Sequence, residues 1–219
     1  MIRFSRTVFL FSCIVLWLSD QPGSFAQEYP VFGGFLGASA SNNDFGDTRH
    51  TMPGWHLSLG LNMRHNLRFV GEFSGQHRHT NIQSDFSEQQ VRLDEYQFLF
   101  GPEYVFYRFH QTMPFLHVLL GVGARHYNIP SDDPQHPRDV LAVDYGFASG
   151  FGGGLDIALS RHWAVRPLQF DYVLTNLSHD QPQFSPIQEQ LPSLAAWQHN
   201  YRFSFGVVLR LGTRTQKMQ

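Results

Sequence analysis

The feature that most constrains this chain is a period of two. It is clearest between Trp55 and Met63, where Trp55, Leu57, Leu59, Leu61 and Met63 alternate with His56, Ser58, Gly60 and Asn62. Successive side chains of a strand point to opposite faces, so this segment builds one apolar wall and one polar or small wall. The pattern returns in short segments of roughly 9–11 residues, the length a tilted strand needs to cross a bilayer. Val31 to Ser39 is a glycine-rich first strand, and Leu67, Phe69, Gly71 and Phe73 alternate with Arg68, Val70, Glu72 and Ser74. Tyr96, Phe98 and Phe100 flank Gln97 and Leu99, and Leu116 to Ala124 opposes His117 to Arg125. Phe147, Phe151, Leu155 and Ile157 face away from Ala148, Gly150, Gly152, Gly154 and Asp156. The segment from Trp163 to Leu174 slips phase near Pro167, where a bulge is expected because proline cannot donate to a ladder. Tyr201 to Leu211 alternates cleanly, which makes eight segments.

The connections alternate as well. Arg64-His65-Asn66, Ser160-Arg161-His162 and a stretch near Arg108 to Met113 are short, whereas Ala40 to Pro53, His77 to Arg92, Asn128 to Val143 and Thr175 to His199 read as long polar loops. Short turns at one end and long loops at the other predict an all-β, eight-stranded antiparallel up-and-down transmembrane β-barrel, with both termini on the periplasmic side. An even number of strands closes the sheet, leaving no edge that lipid would have to satisfy. Beyond the amino-terminal region there is no apolar run of roughly 18 residues, so membrane-crossing helices are excluded.

A lipocalin-like soluble barrel would show the same period with its faces reversed. Composition separates the two. The chain carries 21 Phe, 8 Tyr and 4 Trp, more rings than a small interior can hide, whereas a lipid-facing wall can turn them outward. The long polar residues Arg68, Glu72, Gln97, Arg125, Asp156, Gln169, Asp171, Arg202 and Arg210 all fall on the walls rich in glycine and small residues. They are expected to form a polar network in the lumen. Eight strands leave an interior that side chains fill, so a closed or barely conducting lumen is favoured over an open porin. Net charge is −2, and Lys217 is the only lysine, so nothing marks a nucleic-acid surface.

Residues 1–26 carry the marks of a secretory signal: Arg3 and Arg6, an apolar run from Val8 to Leu18, then Ser24-Phe25-Ala26 before the expected cleavage. The barrel domain is then 27–219, with a short polar tail from Thr213. Cys13, the only cysteine, lies inside the apolar run and would leave with it, so the mature chain needs no disulfide.

The run Phe151-Gly152-Gly153-Gly154-Leu155-Asp156-Ile157, the turn Ser160-Arg161-His162 and the stretch Ala164 to Tyr172 resemble OmpA/opacity-type outer-membrane barrel domains, particularly forms found in acidobacteria. Tyr201 to Leu209 is similar to their closing strand. The resemblance covers about Gly33 to Gly212 as a pattern. It implies a bacterial outer-membrane location, a lipid environment and a monomer; with only the short tail after the barrel, no peptidoglycan-binding domain is expected. Ser204, Gly206, Leu209 and Leu211 resemble the carboxy-terminal signal read by barrel-assembly machinery, with leucines where aromatics are usual.

Twelve histidines raise the question of metal, with His77, His79, His126 and His136 the nearest groupings. A metal site needs three or four converging ligands, and these fall in expected loops, so no metal and no cofactor are expected. Arg125-His126-Tyr127-Asn128 with Ser131 and Asp132 invites comparison with lipid A deacylases, but Asn128 stands where that family has its serine. The glycines at 150 and 152–154 lack the Lys-Ser/Thr of a phosphate loop. The expected function is a non-enzymatic outer-membrane barrel with a structural or surface-interaction role through its long extracellular loops, the ligand unidentified; a narrow channel is the alternative, and a lipid-modifying enzyme a third.

Overall fold

The computed structural model describes residues 28–44, 49–64, 66–84, 87–106, 111–130, 138–180 and 197–215. The signal segment lies outside them. The strands are β1 (Glu28–Asp44), β2 (Arg49–Asn62), β3 (Leu67–Ser84), β4 (Ser87–Val105), β5 (Thr112–Pro130), β6 (Arg138–Ala158), β7 (Trp163–Asp180) and β8 (Gln198–Thr215). Each pairs antiparallel with its neighbours, and β8 returns to β1 to close the barrel. Among the described residues no helix is long and apolar enough to cross a membrane.

Alternation sorts the side chains as the period requires. On β8, Tyr201, Phe203, Phe205, Val207 and Leu211 point outward, while Arg202, Ser204 and Val208 are buried inside. The outward run from Tyr201 to Leu211 covers about 34 Å of strand, or about 25 Å of membrane thickness at a tilt near 40°. Aromatic residues mark both limits. Tyr104 and Phe106 meet edge to face near the short turns, and Trp55 with Phe73 does so near the opposite end. Rings at these depths suit the water–lipid boundary, where an apolar body and a polar tip are both satisfied.

The interior is less uniformly polar than expected. Phe35, Ala164 and Val208 form one buried cluster, Leu99, Leu119 and Ala148 a second, and Val105 with Phe115 a third. These apolar plugs fill space that charge alone would leave open. Gly60 serves the same packing: a Cβ there would lie 2.6 Å from Cδ of Arg68, whose side chain crosses the glycine.

The strands are longer than the sequence suggested. Much of the four stretches read as loops is ladder: β3 and β4 stay paired to Ser84 opposite Ser87, and β5 and β6 to Pro130 opposite Arg138. Above the membrane neither face needs to be apolar, so pairing continues after the pattern that reveals it has gone. β2 and β3 part above Gly54 and Gln76, so the β3–β4 hairpin rises as a separate ribbon. The register of β7 shifts against both neighbours around Pro167, between Leu155 and Ile157 on one side and between Arg166 and Gln169 on the other.

Candidate functional site

The barrel's chemistry is concentrated in its lumen. Arg202 on β8 sits at the centre, 1% exposed. Its Nη2 donates to Glu72 Oε2 at 2.6 Å and to Asp171 Oδ2 at 2.7 Å, and its Nη1 donates to Ser74 Oγ at 2.9 Å. One guanidinium therefore ties β8 to β3 across the bore and to β7 beside it. Gln169 Nε2 donates to both Asp171 oxygens, at 2.9 and 3.1 Å, and to Glu72 Oε1 at 3.3 Å.

Two histidines complete this layer. His117 Nε2 lies 2.9 Å from Asp171 Oδ1, and its Nδ1 lies 3.6 Å from Glu103 and 3.8 Å from Glu72. His56 Nε2 lies 3.1 Å from Glu72 Oε2, and its Nδ1 lies 3.0 Å from Ser204 Oγ. Below them Arg68 pairs with Glu103. Arg166 makes a two-pronged contact with Asp156, Nε to Oδ1 at 2.7 Å and Nη2 to Oδ2 at 3.1 Å. The planar Arg166 group also lies over Phe35 and Phe115, 4.4 and 4.2 Å from the ring centres, which suits a weakly hydrated, delocalised cation.

A second group lies nearer the end away from the short turns. Arg125 Nη2 donates to Glu95 Oε2 and to Gln198 Oε1, each at 2.7 Å. Gln97 Nε2 reaches Glu95 Oε1 at 2.8 Å, and Asn43 Nδ2 reaches Glu95 Oε2 at 3.0 Å from the far side of the barrel. Low dielectric makes unpaired charge here expensive, and the cross-lumen bonds are what make burial tolerable.

The structure thus brings Arg68, Glu72, Gln97, Arg125, Asp156, Gln169, Asp171 and Arg202 into the buried interior. Arg210 sits at the mouth beside the short turns, half-buried, where its Nη2 caps the carbonyls of Ser160 and Trp163. Sequence reasoning missed Glu95, Glu103 and Arg166 as members; it placed His56 and His117 on the polar walls but left them out of the network. Glu103 continues the inward phase of Gln97 and Leu99 past Pro102, so its signal was present. Arg166 lies beside the phase slip and had none. Of the residues expected to form an assembly signal, Ser204 is buried and bonded to His56, and Gly206 faces Gly37 across the closing seam. Leu209 and Leu211 lie opposite Gly34 and Phe32 on β1.

His56, Glu72 and Asp171 bring ligand atoms within 4.8 Å of one another. Arg202 already holds both carboxylates, so an added cation would sit against a fixed positive charge; the trio serves the ion-pair layer. His126 lies on the outer wall, edge-on to Tyr96 and Tyr145. His77 and His79 are exposed on β3, and His136 is outside the described residues. Arg125 and His126 face opposite sides of β5, and Ser131 and Asp132 are also outside the described residues.

No family model and no curated protein matches the sequence. The fold does match solved structures. The attachment invasion locus protein Ail of Yersinia pestis, solved with the heparin analogue sucrose octasulfate, aligns with a TM-score of 0.54 at 13% identity, covering 85% of this chain and 100% of that one. Neisserial surface protein A aligns at 0.58 and 12% identity, covering 84% and 99%. Likeness at this identity is likeness of architecture: an eight-stranded outer-membrane barrel, whose greasy exterior is what a bilayer requires.

Proposed function

We propose that this chain is a non-enzymatic outer-membrane barrel of the OmpA/opacity type, in the form seen in acidobacteria. Its rigid, lipid-embedded body carries surface-binding connections outside the cell. The observation that supports this most is the lumen: residues from β1, β3, β4, β5, β7 and β8 bond across it, leaving a packed ionic plug where a channel or an active site would need space. Strands that continue above the outer aromatic level give those connections a stiff base.

In this reading the barrel acts as a monomer, contacts outer-membrane lipids, and reaches its place through barrel-assembly machinery reading the β8 end. Arg64 and Arg161 are exposed in the short turns and therefore face the periplasm. Trypsin added to intact cells is expected to leave both bonds uncut and to cut them once the outer membrane is permeabilised, read by peptide mass spectrometry. Cleavage at either arginine in intact cells, or recovery of the chain in the soluble periplasm, would sink the proposal. The enzyme alternative predicts altered lipid A after His126→Ala; unchanged lipid A removes it.

A further inference from the structure

On the outer wall, β4, β5 and β6 form two rungs of the same composition. Ala124 lies in register between Tyr96 and Tyr145, and Val122 between Phe98 and Phe147. The small residues leave a trough over β5, about 500 Å³ in volume, floored by Val122, Gly123 and Ala124, with Tyr96 and Phe98 backed by Phe73 on one bank and Tyr145 on the other. Its banks stand two strand spacings apart, about 9.6 Å, which leaves width for one extended hydrocarbon chain once the rings are in place. The floor is open to the surroundings, with Val122 60% exposed.

The trough is closed at its extracellular end. His126 stands edge-on to both banks, its ring centre 5.9 Å from that of Tyr96 and 6.5 Å from that of Tyr145. Above it the outer wall turns polar: Arg92 Nε donates to Asp94 Oδ1 at 2.9 Å, and Asn128 Nδ2 donates to Asp94 Oδ2 at 3.2 Å. The sequence of features along the membrane normal is therefore apolar trough, imidazole and tyrosine rim, then a patch of mixed donors and acceptors. That order matches one amphiphile, tail down and head up, in the outer leaflet.

We propose that this trough is a seat for a single acyl chain of an outer-leaflet glycolipid, whose sugar rests on the rim. The tail follows from continuity with the lipid-facing wall. The sugar follows from the rim's chemistry: Asp94 and Asn128 are buried and bonded, Arg92 is neutralised by Asp94, and the accessible rim is the Tyr96, Tyr145 and His126 rings with their polar tips rather than unneutralised positive charge. The inference rests on the membrane reading above and adds a preferred lipid at one place on the wall.

The test uses the full barrel in nanodiscs of phosphatidylethanolamine that include a chain-diazirine phosphatidylethanolamine as probe. Labelled peptides are mapped after illumination, with unlabelled lipid A or unlabelled phosphatidylglycerol added at equal mole fraction. Lipid A is expected to protect residues 122–124 and 145–147 selectively, leaving residues 57–61 of β2 labelled as before; phosphatidylglycerol is expected to protect neither. Ala124→Trp, or Val122→Phe as a second way of filling the trough, is expected to abolish the selective protection, while Leu116→Trp lower on the same strand preserves it. Even protection over the whole wall, protection by phosphatidylglycerol alone, or protection that survives both filling variants would overturn the seat. A barrel labelled on no strand would sink the membrane reading along with it.

Discussion

At the scale of single residues, Arg202 is the position on which the lumen depends most. It is the shared partner of Glu72 and Asp171, and all three side chains are about 1% exposed. Truncating one member of a buried ion pair typically costs roughly 3–5 kcal/mol, because the partner is left charged and unsolvated. Arg202→Ala is therefore expected to lower unfolding stability in detergent or lipid by about that amount, measured by denaturant titration of the refolded barrel. Arg202→Met combined with Glu72→Gln and Asp171→Asn should recover much of the loss, since the same volume is kept and no lone charge remains. A single variant as stable as the parent would show that the layer is hydrated and slack. Parity placed these three residues on the inner wall from sequence alone. It could not pair them, because pairing depends on depth and on which strands face each other across the bore. His117 was likewise placed on the polar wall but not joined to the centre, and Glu103 lay past Pro102, where the alternation was not followed.

At the scale of the element, β7 shows how a strand absorbs an irregularity. Arg166 and Gln169 both point inward although three residues apart, and the extra step is taken by Pro167 and Leu168, both exposed. Between these anchors the partner β8 spans only Gly206 to Ser204. Removing Leu168 while changing Pro167→Val should therefore restore an unbroken ladder with every side chain on its original face. That variant is expected to fold, whereas deleting Val118 from the regular β5 reverses the faces of half the strand and is expected to prevent folding; the heat-dependent gel shift of the intact barrel reads both. Failure of the first with normal assembly of the second would show that the bulge itself is required. The sequence made the β7 slip visible through its proline and broken alternation. The upper halves of β3 and β4 were not legible, since polar residues on both faces carry no period.

At the scale of the whole molecule, the lumen is crossed by layers of paired charge and capped by apolar clusters, so the barrel behaves as a filled cylinder. Planar-bilayer recordings of the parent are expected to show no steady conductance steps. Glu72→Ala with Arg202→Ala, which removes the cross-bore ion pair at the centre of the middle layer, is expected to introduce resolved steps. A parent that conducts as well as the double variant would favour the channel alternative. The closed ring, the strand count and the outward aromatics were readable from one chain because bilayer physics admits so few solutions. One further consequence concerns how such a cylinder is finished. Arg202 belongs to the final strand, whereas the carboxylates it neutralises, on β3 and β7, are made earlier in the chain. Sealing the seam and discharging the bore are thus a single step. A nascent sheet that lacks its last segment carries stranded anions as well as raw edges, and lipid rejects both, so the membrane itself inspects each copy for completeness.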